Sequence, residues 1–158
     1  VIYGGYLGIK VNITHDIIFN SNASYTYGKD ITDDVPLAHI PPFFGKTSIS
    51  YRFKKFESVF YSYYNGWKRK KDYSPSNVDN LSEATENGTP SWYTLNLTSS
   101  YKIYFSRKKQ SPSSSSVAEN ILYLQFAVEN ILDRHYKSFA SGISAPGRNF
   151  IITLRMNL

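Results

Sequence analysis

The sequence predicts an all-β fold of antiparallel strands, and three observations support this prediction. Aromatic residues are unusually common, with 14 Tyr, 10 Phe and 2 Trp among 158 residues, and aromatic side chains are enriched in strands. Along most of the chain, apolar and polar residues alternate with a period of two, which a strand sorts onto two opposite faces. Short and long connecting segments follow one another in alternation between these stretches.

The first four predicted strands cover roughly 2–13, 17–28, 45–54 and 56–67. Apolar residues occupy every second position from Leu7 to Ile13 in the first, and alternation from Thr47 to Phe53 defines the third. The second strand alternates more loosely. The fourth is so rich in aromatic residues that its two faces cannot be told apart by pattern.

The last three predicted strands cover roughly 92–104, 120–130 and 147–158, and they alternate most clearly. The final two share a continuous apolar face, formed by Leu122, Leu124, Phe126, Val128, Phe150, Ile152, Leu154, Met156 and Leu158. Candidates for the opposite, polar face of the three strands are Asn96, Lys102, Gln125, Glu129, Asn149 and Arg155.

The connections favour a particular all-β architecture. His15-Asp16 and Lys54-Lys55 are tight turns, whereas 29–44, 68–91 and 131–146 are long. Short turns on one side and long loops on the other are typical of an outer-membrane β-barrel. The Ser-rich link from Phe105 to Glu119 departs from this alternation and is interpreted as an insertion. Helix is expected only as short turns, chiefly near 130–136.

A soluble β-sandwich is the alternative architecture, because alternating strands with turn signals describe it equally well. The last strand argues against it. Its apolar row lies opposite Arg155 and Asn157, and a barrel would turn that row towards lipid while a sandwich would bury it.

Composition excludes several function classes. Cysteine is absent, so neither a disulfide framework nor a thiolate site is available. No paired carboxylates, serine-nucleophile elbow or phosphate-binding glycine loop is present, which predicts no catalytic residues and no cofactor. The three His are far apart in sequence, and the acidic residues near Asp33 lack calcium-loop spacing, so no metal site is predicted. Residues 1–10 contain no secretory leader, and no apolar stretch approaches the ~20 residues of a spanning helix.

Five segments, in order, resemble motifs of TonB-dependent receptors of the bacterial outer membrane. The most specific resemble that family's Asn-Leu-Phe-Asp segment with its following Tyr, and its Pro-Gly-Arg start of the final strand. Tyr6 stands where the family usually has Glu, and Leu158 where it usually has an aromatic residue. The five segments are Ile2–Leu7, His39–Pro42, Asn87–Leu95, Val128–Tyr136 and Pro146–Phe150.

This resemblance implies an antiparallel up-and-down transmembrane barrel of about 22 strands with a plugged lumen. Residues 1–158 are expected to supply its last seven strands as part of a single barrel domain. The apolar face would then meet lipid, and the polar-face candidates would line the lumen. The implied function is import of a siderophore, haem, vitamin or similar nutrient across the outer membrane of a Gram-negative bacterium. The energy-coupling protein TonB would act through a plug outside this chain.

The net charge of +6 leaves the partner open between nucleic acid, anionic lipid and lipopolysaccharide, and the resemblance favours lipid over nucleic acid. A basic run follows Trp67 directly, where the barrel reading places the extracellular membrane interface. Contact with lipopolysaccharide is therefore predicted for Trp67, Lys68, Arg69, Lys70 and Lys71, and a solvated charge run is the open alternative. The alternative function is a secreted β-sandwich binding module, either an adhesin or a carbohydrate-binding domain.

Overall fold

The structure, a computed structural model, describes residues 1–106 and 119–157 and consists almost wholly of strands. The ten described strands are β1 (Ile2–Asn12), β2 (Ile17–Asp30), β3 (Val35–Pro36), β4 (Phe44–Phe53), β5 (Phe56–Asn65), β6 (Lys68–Arg69), β7 (Gly88–Thr89), β8 (Trp92–Ser106), β9 (Glu119–Glu129) and β10 (Asn149–Asn157). Two single turns of 3-10 helix, Lys70–Asp72 and Leu81–Glu83, lie between β6 and β7. No helix in the described part of the chain is long and apolar enough to cross a membrane.

The seven long strands coincide with the seven predicted ones. The largest differences are at strand ends, where β2 extends to Asp30 and β5 ends at Asn65. Helical turns were expected near 130–136, and this prediction is wrong. They occur in the 66–91 connection instead, while residues 130–134 form a turn held by side-chain hydrogen bonds. The Ser-rich link at 107–118 and Leu158 lie outside the described residues.

The long strands form one antiparallel sheet in the order β1-β2-β4-β5-β8-β9-β10. Each strand pairs with its neighbour along the chain, as in the pairs Val11 with Phe19 and Leu97 with Val128. β3 is a two-residue addition to β2. This is the up-and-down, antiparallel order that the sequence predicted. Within the described residues, β1 and β10 each have one long neighbour, and the sheet is open.

The two faces of the sheet differ in chemistry. Cross-strand partners share a face, so the register groups the residues without ambiguity. One face, called here the apolar face, carries no Asp, Glu, Lys or Arg at any described position paired between long strands. Lys29, near the loop end of β2, pairs only with β3, and the alternation places it on the apolar side. The charged residues that pair between long strands lie on the other, polar face, among them Lys10, Lys46, Arg52, Glu57, Lys102, Glu129 and Arg155.

The strands end in two different environments. At the turn end, tight connections at 13–16 and 54–55 join the strands. At the loop end, the connections 31–43, 66–91 and 130–148 pack against one another. Buried side chains concentrate at the loop end, where Tyr73 is 5% exposed and Asp79 is 1% exposed. The described core therefore lies between loops, and the apolar face of the sheet is uncovered.

Candidate functional site

The apolar face is an exposed hydrophobic band. Its most exposed members are on β10, where Ile152 is 73%, Leu154 67% and Phe150 65% exposed. Register places them beside Phe126, Leu124 and Val128 of β9 on the same face. The band continues across the sheet, with Ile9 and Ile49 also exposed. Exposed apolar area of this extent marks a surface that contacts lipid or another apolar partner. All the residues predicted to face lipid lie on it, except Leu158, which is not described.

The polar face carries the six residues that the sequence assigned to a lumen. Glu129 and Asn149 are direct partners across β9 and β10. Tyr123 is the centre of a row across three strands, with the Lys102 ammonium 5.7 Å and the Arg155 guanidinium 6.0 Å from its ring centre. Gln125 and Arg155 share this face as well. Their contact with a lumen stays a prediction, because the described sheet is open.

Asn96 lies on the polar face but is 4% exposed. Its side-chain oxygen accepts a hydrogen bond from the backbone N–H of Asn130 at 2.9 Å. Its side-chain nitrogen donates to the carbonyl of Tyr61 at 3.3 Å and to the hydroxyl of Thr94 at 3.1 Å. Asn96 therefore anchors the start of a loop, and its predicted place in the wall of a lumen stays a prediction.

The segment that most resembled the receptor family is a turn held by its own side chains. Asn130 and Asp133 have left-handed backbones, with φ of 49° and 52°, a conformation that Asn and Asp tolerate better than most residues. The Asn130 oxygen accepts from the Arg134 N–H at 2.9 Å, and its nitrogen donates to the Arg134 carbonyl at 2.8 Å. The turn is thus fixed by one asparagine.

The same turn positions the start of β10. The Asp133 carboxylate accepts from the backbone N–H of Arg148 at 2.7 Å, and the Arg148 guanidinium donates to the Ile131 carbonyl at 2.9 Å. A Cβ at Gly147 would lie 2.7 Å from that carboxylate. A side chain at position 147 would therefore displace the Asp133 carboxylate from this position. The Asn-x-x-Asp and Pro-Gly-Arg motifs are two halves of one clasp.

A second clasp joins the first two long loops through Asp79. Both carboxylate oxygens accept from the backbone N–H of His39, at 3.0 and 3.2 Å, and the His39 ring nitrogen Nδ1 is 3.3 Å from one of them. The adjacent Asn80 donates its side-chain N–H to the Ala140 carbonyl of the third loop at 2.7 Å. Two consecutive residues therefore tie all three loops together.

Lys68 lies inside this loop cluster. It is 6% exposed, donates from its ammonium to the Ile40 carbonyl at 2.6 Å, and lies 5.1 Å from the ring centre of Phe139. Burial lowers the pKa of Lys68 below its ordinary value, and the negative charges of Asp72 and Asp79 only partly oppose that effect. Lys68 thus departs from the prediction that it faces lipopolysaccharide.

The other four residues of the predicted contact set are exposed and line one cleft. Trp67, Arg69, Lys70 and Lys71 surround a space of about 360 Å³ with Asn87. Within the described residues, none of the three cations forms an ion pair. The cleft is therefore a concentration of positive charge that is not neutralised locally.

Further cavities lie among the loops of the described residues, and two of them exceed 300 Å³. The larger, about 540 Å³, is bordered by Tyr25, Tyr27, Phe43 and Trp67 among others. The second, about 320 Å³, lies between the second and third loops beside Trp92 and Tyr136. Their rings are 4.2 Å apart, and burial raises the pKa of Tyr136 above its usual value, with Glu129 adding to the shift. Volumes above about 300 Å³ are in the range of small-molecule sites.

Sequence reasoning missed the two residues that organise the loops. Asp79 and Asn80 had no distinguishing pattern, because each acts on a backbone group far away along the chain. Among residues 1–106 and 119–157, no three His, Asp or Glu side chains are grouped as metal ligands.

No family model and no curated protein matches the chain. Among solved structures, it is similar to one named Copper transporter OprC, with a TM-score of 0.68 and 18% sequence identity. The match covers 94% of this chain and 23% of the other, so this chain spans less than a quarter of that protein's length. The likeness shows the fold: the antiparallel sheet has the arrangement of part of that transporter.

Proposed function

We propose that this chain is part of the barrel wall of an outer-membrane transporter of the TonB-dependent type, importing a nutrient such as a siderophore, haem or vitamin. One observation carries the proposal. At the described positions that pair between the seven long strands, the apolar face is exposed and carries no charge, while the polar face holds the charged residues. A transmembrane barrel requires this division, with apolar side chains towards lipid and polar ones inside.

The alternative of a secreted β-sandwich is not favoured by the same observation. A sandwich buries one face of each sheet in a shared core about 10 Å thick. In the described residues, the long strands form one sheet. On its apolar face, Ile152 is 73% and Leu154 67% exposed, whereas a sandwich core would bury them. The proposed barrel accounts for this exposure, since lipid replaces the second sheet.

The fold likeness to part of a transporter gives further support. In the proposed protein, the loop end faces the cell exterior and receives the nutrient, and the cavities of about 540 and 320 Å³ border its path. Outer-membrane lipid and lipopolysaccharide surround the wall. TonB acts through a plug domain that is not among these 158 residues. The proposal assigns the chain no catalytic role, no cofactor and no nucleic-acid partner.

The test uses the full-length protein that contains this chain, expressed in a Gram-negative strain lacking its own receptors for the probes. Cells are fractionated, and uptake of a labelled ferric siderophore, haemin and cobalamin is measured with and without a protonophore. We expect recovery in the outer membrane and energy-dependent uptake of one probe. Recovery in the soluble fraction would contradict the location, and outer-membrane recovery without uptake of any of the three would contradict the transport.

A further inference from the structure

Backbone hydrogen bonds fix the shape of one cleft, called here the basic cleft. Its lining residues are Trp67, Arg69, Lys70, Lys71 and Asn87. The Asn87 carbonyl accepts both from the Trp67 indole N–H at 3.2 Å and from the Lys70 backbone N–H at 3.2 Å. Gly88 follows with φ of +97°, a conformation that glycine adopts without strain. Because one carbonyl holds both the aromatic ring and the start of the cation run, the cleft is preorganised.

The charge of the basic cleft is not balanced from within. Arg69, Lys70 and Lys71 are exposed, and no carboxylate from residues 1–106 or 119–157 lines the space between them. Two acids, Asp72 and Glu86, are adjacent in sequence to cleft residues; Asp72 borders the neighbouring cavity and acts on the ammonium of Lys68. A rigid cleft with three cations and no acid favours a multiply charged anion, and guanidinium groups suit phosphate in particular.

The position of the basic cleft identifies what carries that phosphate. Trp67 and Lys71 border both this cleft and the 540 Å³ cavity, which is lined by Tyr25 and Tyr27 and also by charged residues, Lys29, Asp34 and Asp72 among them. Those two tyrosines lie on the apolar face, opposite Gly5 and Tyr3 of β1. The cations are therefore continuous with the loop end of the exposed apolar band. A ligand that fills both surfaces has a phosphorylated head and an apolar tail.

We propose that the basic cleft binds the phosphorylated sugar headgroup of a glycolipid of the outer leaflet, while its acyl chains follow the apolar face past Tyr25 and Tyr27. Arg69, Lys70 and Lys71 bind the phosphates, and Trp67 packs against the sugar at the interface. This deepens the proposed function, since it rests on the apolar face lying in the outer membrane. Lys68 takes no part, because its ammonium is bound to the Ile40 carbonyl.

The experiment measures lipid binding to the full-length protein purified in mild detergent, using native mass spectrometry with added lipid A. The test variant is Arg69→Gln/Lys70→Gln/Lys71→Gln. The matched control is Lys54→Gln/Lys55→Gln, which removes exposed cations at the turn end. We expect the test variant to bind phosphorylated lipid A about tenfold more weakly, the sum of a few exposed charge contacts, and the control to bind as the unmodified protein does.

Further arms separate the possible sources of phosphate. Dephosphorylated lipid A and phosphatidylglycerol should bind the unmodified protein and the test variant alike, and inorganic phosphate at millimolar concentration should not displace lipid A. Trp67→Ala should weaken lipid A binding as well. Equal binding of phosphorylated lipid A by test variant and unmodified protein would overturn the proposal, as would displacement by free phosphate. Since binding is measured on purified protein, its failure is distinguishable from failure to reach the outer membrane or to transport.

Discussion

The two carboxylate oxygens of Asp79 share one bifurcated hydrogen bond donated by the backbone N–H of His39, forty residues earlier in the chain. The side chain is 1% exposed, yet the His39 ring beside it is largely exposed. A buried acid therefore closes the first loop onto the second at a point open to solvent on one side. We therefore expect substitution of Asp79 to loosen the contact between the first two loops.

Replacing Asp79 with Ala should open the junction between the first two loops. A hydrogen bond to a charged group contributes about 1.5–3 kcal/mol, so exchange of the His39 amide hydrogen should quicken about 10- to 100-fold. Hydrogen–deuterium exchange of peptides covering 36–42 would measure this. Asp33→Ala is the matched control, because Asp33 is exposed and its carboxylate makes no hydrogen bond within the described residues. If both variants exchange alike at His39, Asp79 is not the clasp.

A positive charge should be tolerated on one face of β10 and not on the other. Leu154 and Thr153 are adjacent and both exposed, but they point to opposite faces. In the proposed barrel Leu154 faces lipid, where Arg costs about 2–4 kcal/mol near the middle of the bilayer, so Leu154→Arg should lower the free energy of unfolding by that amount. Thr153→Arg should change it by less than about 1 kcal/mol. Urea unfolding of the full-length protein in lipid vesicles measures both, and equal losses would refute the assignment of faces.

The contact between Asp133 and Gly147, in the clasp between the 130–134 turn and β10, should make the stability effects of substitutions at the two positions non-additive. Gly147→Ala places a Cβ against the Asp133 carboxylate and should be destabilising when Asp133 is present. In an Asp133→Ala background the clash is absent, and the same substitution should be nearly neutral. Residues in direct contact typically show coupling of about 0.5–3 kcal/mol. Unfolding free energies of the four proteins in the double-mutant cycle give the coupling, and strict additivity would contradict the contact.

Because Lys68 is buried, we expect the free energy of unfolding to rise with pH in the alkaline range. The folded-state pKa of Lys68 lies below the ordinary 10.5 because of burial. Below the folded-state pKa, Lys68 is charged in both the folded and the unfolded protein, and the cost of burying the charge lowers the free energy of unfolding in full. Between that pKa and 10.5, the unfolded chain binds the proton more tightly, so the free energy of unfolding rises with pH, and it levels off above 10.5.

Lys68→Met should remove this rise, while Lys70→Met, at an exposed cation in the same loop, should retain it. Urea unfolding followed by tryptophan fluorescence over pH 8 to 11 is suitable, because Trp67 and Trp92 both lie at the loop end. Detection of the same slope in the Lys68→Met protein would assign the rise to another group.

The strands could be predicted from the sequence because each depends on a local pattern. Alternation along Phe150 to Met156 is enough to define β10 and its two faces, and pairing with β9 only confirms them. The role of Asn96 could not be predicted in this way. Its partner is the backbone of Asn130, and alternation places a side chain on a face without saying what bonds it there.

The loops resisted prediction for a related reason. In the sequence, Lys68 is one more cation in a basic run. Lys68 is buried and Arg69 is exposed because Phe139 and the Ile40 carbonyl pack around Lys68, and this packing depends on distant loops. The segment from Asn130 to Asp133 resembled a family motif, but helical turns were expected there, because the left-handed backbones of these two residues leave no clear signature in the apolar pattern. Contacts between distant loops leave none.

The segregation of charge between the two faces also governs how the sheet can assemble. If β10 slipped by one residue against β9, Arg155 would move to the apolar side and Leu154 to the polar side, because side chains alternate with a period of two. Every long strand except β2 carries at least one charged residue of this kind. A one-residue slip is therefore penalised at each pairing that involves one of these strands.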